Sequence, residues 1–179
     1  MAIRPMLPAL LLLTLGTAPA MGSGSESPPQ VRLTSAGIGA LTLGRPLQSA
    51  ARQTVPLDPA AAIIGPGCDE RDQINVRLGV AGHGMTVMAM ADARGRIEEI
   101  IAMPRGTANA ASAADCRALG EAFAASLAPR LGPPGEAYTV RKPVSDEFIF
   151  RYRGDAYVLA RWFAGGSSCD LALHFERRN

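Results

Sequence analysis

The pattern of apolar and polar positions predicts two groups of β-strands. In the first group, four apolar residues alternate with polar or small ones: Ile74, Val76, Leu78 and Val80. This period of two is typical of a strand with one buried face. Two further apolar runs, 85–91 and 97–103, flank a turn sequence at 92–95. We therefore predict that these two runs form a β-hairpin.

The second half of the chain repeats this arrangement of strands. Residues 148–152 alternate, and residues 157–163 and 169–175 return after turn sequences. The turns at 154–155 and 165–168 are rich in Gly, Asp and Ser, which favour chain reversal. We predict a three-stranded antiparallel meander from these residues.

Each group of strands follows a predicted helix. The first helix is short, 47–53, and begins after Pro46, because Pro is tolerated at a helix start. The second helix begins after Ser112, whose hydroxyl can accept a hydrogen bond from a free N–H of the first turn. Its apolar stripe runs to about Leu127, and Pro129 should kink or end it.

This order of elements places the chain in the α+β class. We expect an antiparallel sheet with helices packed on one face, arranged as two helix-plus-three-strand units in tandem. The first unit would cover 37–104 and the second 105–179. Residues 21–36 are small, polar and proline-rich at first, and we expect a flexible N-terminal segment there.

The first twenty residues have the features of a secretory signal peptide. Arg4 precedes an apolar run at 7–15, and Ala-Pro-Ala at 18–20 puts small residues where a signal peptidase reads them. The apolar run is shorter than the roughly 20 residues that a membrane-spanning helix needs. We expect residues 1–20 to be removed, leaving a periplasmic or secreted protein without stable membrane insertion.

The cysteines also bear on the compartment. Because an exported chain meets an oxidising environment, one disulfide is expected among Cys68, Cys116 and Cys169. We prefer Cys116–Cys169, since Cys116 should open the second helix and Cys169 should lie in the last strand beneath it. Cys68 would then be free or would pair between chains.

Two short patches resemble known exported proteins. Residues 37–50, GIGALTLGRPLQSA, combine a short strand, a Gly and a helix whose apolar residue precedes an Ala by three. With the Leu-Gly-Pro-Pro run at 131–134, this segment resembles the beta-lactamase inhibitor protein and the SmpA/OmlA outer-membrane assembly lipoproteins. Those families use helix-plus-strands units, sometimes in tandem. The resemblance implies a binding, inhibitory or envelope-assembly role, and it carries over no target-binding residue.

The sequence contains no motif for catalysis, cofactor binding or metal binding. His83 and His174 have no metal ligand at the usual spacing nearby, and no Gly-x-Ser-x-Gly occurs. Glu98 and Glu99 are neighbours on a predicted strand, so we expect them to point to opposite faces and not to converge. The net charge of +2 argues against a nucleic-acid partner, because such proteins usually present a strongly basic face.

Arginine and aromatic residues interleave in the last meander, a combination that binding hot spots favour. Five of them form a candidate binding surface: Arg151, Arg153, Arg161, Tyr157 and Trp162. The surface would suit an acidic protein or a polyanionic component of the envelope. The alternative is an ordinary solvated face over an aromatic core.

Two functions follow from these observations. The first is an exported soluble binding module without catalytic activity, a protein inhibitor or an envelope accessory protein whose partner is an unknown envelope or extracellular protein. The alternative is a hydrolytic envelope enzyme whose site is assembled from dispersed residues. An exposed, flat arginine and aromatic face favours the first, and a large pocket with converging polar groups favours the second.

Overall fold

The computed structural model of the chain describes residues 27–106 and 108–177. The predicted signal peptide, residues 1–20, lies outside the described residues. No helix in the described part of the chain is long and apolar enough to cross a membrane.

The described residues form a mostly β structure with two α-helices. The elements of the first half are β1 (Gln30–Val31), β2 (Leu33–Thr34), β3 (Gly37–Ile38), β4 (Leu41–Thr42), α1 (Leu47–Thr54), a 3-10 turn (Pro59–Ala62), β5 (Gly65–Pro66), β6 (Asp72–Val80), β7 (His83–Ala91) and β8 (Ile97–Pro104). Those of the second half are β9 (Ala108–Asn109), α2 (Ala113–Leu131), β10 (Glu136–Arg141), β11 (Ser145–Arg151), β12 (Ala156–Phe163) and β13 (Ser168–Glu176).

One large sheet contains the strands of both predicted groups. Its order is β1-β6-β7-β8-β13-β12-β11-β10, with β5 beside β6 and β9 beside β13. The two halves join where β8 and β13 pair antiparallel, from Ala102–Leu173 to Glu99–Glu176. β2, β3 and β4 form a second, small sheet. The α+β class is therefore correct, while the division into units at 37–104 and 105–179 stays a prediction.

The expectation of a purely antiparallel sheet is wrong at one edge. β1 pairs with β6 in parallel, with Gln30 opposite Gly79 and Val31 opposite Val80. Parallel pairing needs a long crossover. Here the chain between the two strands supplies it, because it contains the small sheet and α1.

The predicted first strand is buried along one face, as its period of two requires. Its four apolar residues are at most 1 % exposed: Ile74, Val76, Leu78 and Val80. The predicted hairpin corresponds to β7 and β8, which pair antiparallel. The meander of the second half has four strands rather than three, because β10 precedes the predicted ones. β10 escaped prediction because most of its residues are exposed, so neither face shows an apolar stripe.

The second helix begins as predicted and ends later. Ser112 Oγ accepts a hydrogen bond from the N–H of Asp115 at 3.2 Å. The helix passes Pro129 and ends at Leu131, followed by Gly132 with φ of 79°. Pro129 removes the hydrogen bond to the carbonyl of Ala125, but both residues are exposed. Water can therefore satisfy that carbonyl, and the helix continues for two more residues.

α2 packs against β11, β12 and β13, and Gly120 marks the closest approach. A methyl group at Gly120 would lie 2.6 Å from the Ala160 methyl and 2.8 Å from the Phe150 ring. Further along the helix, Tyr152 Oη donates a hydrogen bond to the carbonyl of Ala124 at 2.7 Å. The helix therefore lies close to the sheet along its length.

We expect Gly120→Ala to destabilise the fold by about 1 kcal/mol. Alanine gains about 1 kcal/mol of helix propensity over glycine, but overpacking against a close-packed sheet costs roughly 1–3 kcal/mol. Urea unfolding of the two proteins measures the difference. A variant more stable than the wild type would contradict the close contact between α2 and β12.

Candidate functional site

The meander of the second half, β10 to β13, has two faces that differ in character. One face, here called the Phe150 face, carries apolar side chains that meet α2, and Val158 and Leu173 on it are completely buried. The opposite face, here called the Arg151 face, carries Ile149 and Leu159, which remain half-exposed. The Arg151 face is therefore where candidate chemistry meets solvent.

Three side chains from adjacent strands stack on the Arg151 face, where β11 ends and β12 begins. Arg151, Tyr157 and His174 are register partners on β11, β12 and β13. The guanidinium carbon of Arg151 lies 4.8 Å from the centroid of the Tyr157 ring. The Tyr157 and His174 rings are parallel to within 10°, with centroids 4.9 Å apart. These three side chains are called the Arg151 stack below.

Arg151 is held in place by tyrosines and not by carboxylates. Its Nε donates a hydrogen bond to Tyr138 Oη at 3.1 Å, and this hydrogen bond is the main reason that its pKa is raised. Among the described residues, no carboxylate forms an ion pair with this guanidinium. In the described part of the chain, the hydrogen bond to Tyr138 is the only one that the half-buried Arg151 guanidinium makes, although it has further N–H donors.

Burial determines the protonation of the other two members of the stack. It raises the pKa of Tyr157 to about 12, with a smaller contribution from Glu176, whose carboxylate accepts a hydrogen bond from Tyr157 Oη at 3.4 Å. Burial also lowers the pKa of His174 to about 4, because the charged imidazolium would lose its hydration. Both rings are therefore neutral near pH 7, and Arg151 carries the only charge in the stack.

A depression of about 580 Å³ lies beside the stack, next to His174. Its lining combines apolar residues such as Ile101, Met103 and Leu159 with polar residues such as Arg161 and Asp170. Its volume falls within the range typical of sites for small molecules, about 300–1,000 Å³. His174 Nδ1 is buried and has no hydrogen-bond partner among the described residues.

A buried carboxylate on the Arg151 face, that of Glu147, holds two cationic side chains in place. Glu147 is 6 % exposed and accepts hydrogen bonds from Lys142 Nζ at 2.7 Å and from Arg161 Nε at 2.8 Å. Burial alone would raise the pKa of Glu147, but the two cations outweigh it and hold the pKa below its usual value. Arg161 therefore forms an ion pair with Glu147, whereas Arg151 forms no ion pair among the described residues.

The structure brings together three of the five residues predicted to form a binding surface. Arg151, Tyr157 and Arg161 lie on the Arg151 face. Arg153 is exposed in the turn between β11 and β12. Trp162 pairs with Cys169 and packs against the core on the Phe150 face, so it does not share a face with Arg151, Tyr157 and Arg161. Consecutive residues of a strand point to opposite faces, so Arg161 and Trp162 cannot share one.

Sequence reasoning missed two residues of this surface. Tyr138 lies on β10, which was not predicted, and its hydroxyl orients Arg151. His174 on β13 was not among the predicted residues, and it shares a face with Tyr157. Its burial beneath the Tyr157 ring depends on the pairing of β12 with β13. Strand alternation could have indicated this pair once the register of the meander was known.

The prediction that Glu98 and Glu99 do not converge is wrong. Arg71 donates to Glu98 Oε1 at 2.9 Å and to Glu99 Oε2 at 3.0 Å, and it also binds Asp69. A register irregularity lies at this point, between Met90 and the next residue of β7. A β-bulge of this kind redirects one side chain, which lets neighbouring carboxylates reach the same cation.

The structure contains the disulfide that the sequence analysis preferred. Cys116 and Cys169 are bonded, with their Cα atoms 5.2 Å apart and a sequence separation of 53. The bond joins the first turn of α2 to β13 on the Phe150 face. Cys68 is exposed and is not part of a disulfide within the described residues.

Comparisons with known proteins assign no family to this chain. No family model matches it, and no curated protein matches it. Among solved structures, it is similar to a DUF4309 family protein, YjgB, from Bacillus subtilis. The two chains are 15 % identical over 62 % of this chain and 68 % of the other, with a TM-score of 0.31. Similarity at that level indicates nothing about the function of this chain.

Proposed function

We propose that this chain is an exported binding module that takes up an acidic segment of a protein partner on the Arg151 face. In this proposal α2 covers the Phe150 face and leaves the opposite face for the partner. The observation that carries the proposal is the Arg151 stack, a cation held between tyrosines on a half-exposed face. Arginine and tyrosine are the residues in which binding energy concentrates at protein interfaces.

The chemistry of Arg151 favours a carboxylate as the group that it binds. A guanidinium presents planar, paired donors that match a carboxylate, and such charge-assisted pairs are stronger than neutral hydrogen bonds. Arg151 is partly desolvated and already oriented by Tyr138, so little conformational freedom is lost when a carboxylate arrives. Half-exposed Ile149 and Leu159 beside it supply apolar contact area.

Two features favour a partner that lies outside the cytoplasm. The signal-like sequence of residues 1–20 and the disulfide between Cys116 and Cys169 both suit a periplasmic or secreted protein. The partner would accordingly be an envelope or extracellular protein. An inhibitor and an envelope accessory protein both fit this description.

Capture from the envelope and secreted fractions with three baits tests the proposal. The baits are the chain from residue 21 onward, the same chain with Arg151→Ala, and a matched control with Arg153→Ala in the neighbouring turn. We expect the wild type and the control to recover the same protein at near one-to-one ratio. Isolated partner should then bind the Arg151→Ala variant at least about tenfold more weakly, the loss expected for a hot-spot residue.

Two results would contradict the proposal. One is equal affinity of the isolated partner for the wild type and for Arg151→Ala. The other is an equal loss in the Arg151 and Arg153 variants, since that would indicate a diffuse attraction to positive charge.

A hydrolytic enzyme is the second candidate, because the depression gathers His174, Arg161 and Asp170. The lowered pKa of His174 makes this residue a weak base near pH 7, which limits its value in general base catalysis. A panel of ester, amide and phosphoester substrates separates the two candidates. Turnover that disappears in a His174→Gln variant would favour the enzyme.

A further inference from the structure

The two edges of the large sheet are built differently. At one edge, the two-residue strands β1 and β5 both pair with β6 and cover it in part. At the other edge, β10 pairs with β11 along six residues, and no described strand pairs with its outer side. Native proteins usually protect such edges with proline, bulges or inward-pointing charges, because an open edge pairs with other strands.

β10 has none of these protections within its six residues, which read EAYTVR. Tyr138, Thr139 and Val140 are residue types that favour strands. Its charged residues, Glu136 and Arg141, lie only at the ends, and Lys142 follows. The middle of the edge is therefore suited to pairing.

The hydrogen-bond pattern shows which backbone groups of β10 face outward. The N–H of Lys142 donates to the carbonyl of Ser145, so these two residues form a hydrogen-bonded pair. In an antiparallel ladder, hydrogen-bonded pairs recur at every second residue. The N–H and C=O groups of Ala137, Thr139 and Arg141 consequently point away from β11, toward the free edge.

We propose that two copies of this chain associate by pairing β10 with β10 in antiparallel register about Thr139. A two-fold axis perpendicular to the sheet places Thr139 opposite its own copy and Ala137 opposite Arg141 of the second copy. All three of these residues have outward-facing backbone groups, so the hydrogen-bond pattern of the two edges matches.

The same register is complementary in its side chains. Tyr138 lies opposite Val140 of the second copy, and Glu136 lies opposite Lys142 of the second copy. Opposite charges and aromatic residues facing β-branched ones are favourable cross-strand pairs. The two-fold axis repeats each contact, which is the property of a symmetric interface between identical chains.

Such a dimer places both Arg151 faces on the same side of one continuous sheet. A perpendicular two-fold axis preserves the face on which each side chain lies. Tyr138, which orients Arg151, is on the pairing strand itself. The dimer would therefore present two Arg151 stacks to one side, although the pairing does not depend on their proposed partner.

Sedimentation equilibrium of the chain from residue 21 onward tests the pairing, with Cys68→Ser in all proteins to exclude linkage through the exposed thiol. We compare that protein with Thr139→Pro, which removes an outward N–H, and with Thr139→Lys, which places two like charges opposite each other. Thr139→Val is the matched control, because it keeps a β-branched side chain. Thr139 is exposed, so all three variants should fold.

We expect concentration-dependent dimerisation in the micromolar range. The proline and lysine variants should associate at least about tenfold more weakly, and the valine variant should resemble the parent within about twofold. Thermal unfolding of each dilute protein checks the fold, and the lysine variant decides the test if proline disturbs β10. A monomeric parent at all concentrations, or unchanged association of the lysine variant, would overturn the proposal.

Discussion

Replacing both Cys116 and Cys169 with alanine is expected to lower the free energy of unfolding by about 4 kcal/mol. The bond closes a loop with 53 residues of sequence separation. In the chain-entropy model, cross-linking a loop of this length removes about that much conformational freedom from the unfolded chain. The effect is the largest that we expect from any change discussed for this protein, and it equals a substantial part of the stability of a typical domain.

Urea unfolding of the oxidised chain and of the double-alanine variant measures this difference. Cys68→Ala is the matched control, because Cys68 is exposed and lies outside the bond. The control should differ from the wild type by no more than about 0.5 kcal/mol, as is usual for surface substitutions. Equal stability of the double-alanine variant and the control would show that the bond does not form in the folded protein.

Lowering the pH from 7 to 5 is expected to cost the fold about 2 kcal/mol through His174. Burial lowers the pKa of His174 to about 4 in the folded chain, and its ordinary value is 6.5. The unfolded chain therefore takes up a proton in this pH range that the folded chain does not. The stabilisation is fully present above pH 6.5 and is lost as the pH falls toward 4.

Charges around His174 contribute less than its burial. Glu176 and Glu147 favour the protonated form, and Arg161 opposes it, but the loss of hydration dominates. Glu147 has a lowered pKa of its own, so its contribution to stability is lost below its ordinary value of 4.5. A scan that stops at pH 5 consequently reports mainly on His174.

Unfolding in urea at several pH values between 5 and 7 provides the measurement. The His174→Gln variant keeps a polar side chain without a group that titrates in this range. Its stability should therefore vary with pH by about 2 kcal/mol less than that of the wild type. A wild-type slope retained in the variant would mean that another group is responsible.

Local sequence patterns were sufficient for elements that depend on neighbouring residues. Period two predicted the buried face of β6, and Ser112 predicted the start of α2. The disulfide was also preferred correctly, because it required only that a helix start and a late strand be close. Propensity and periodicity act over a few residues, and so do the interactions that set the buried face of β6 and the start of α2.

Local sequence patterns could not predict features that depend on pairing between strands far apart in sequence. The join between β8 and β13 and the irregularity beside Met90 are set by long-range register. The Arg151 stack depends on the alignment of three strands, so Arg151 and Tyr157 could be proposed but not placed, and His174 was missed. Trp162 is the opposite case, since strand alternation alone would have separated it from Arg161.

In the proposed function, the Arg151 face binds an acidic segment of the partner. Amide chemical shifts of the labelled chain during titration with a hexaglutamate peptide test it directly. We predict saturable changes confined to the residues around Arg151 and Tyr157, abolished by Arg151→Ala and retained by Arg153→Ala. Changes of equal size in the Arg151→Ala variant, or changes centred on Arg117 of α2, would contradict the claim.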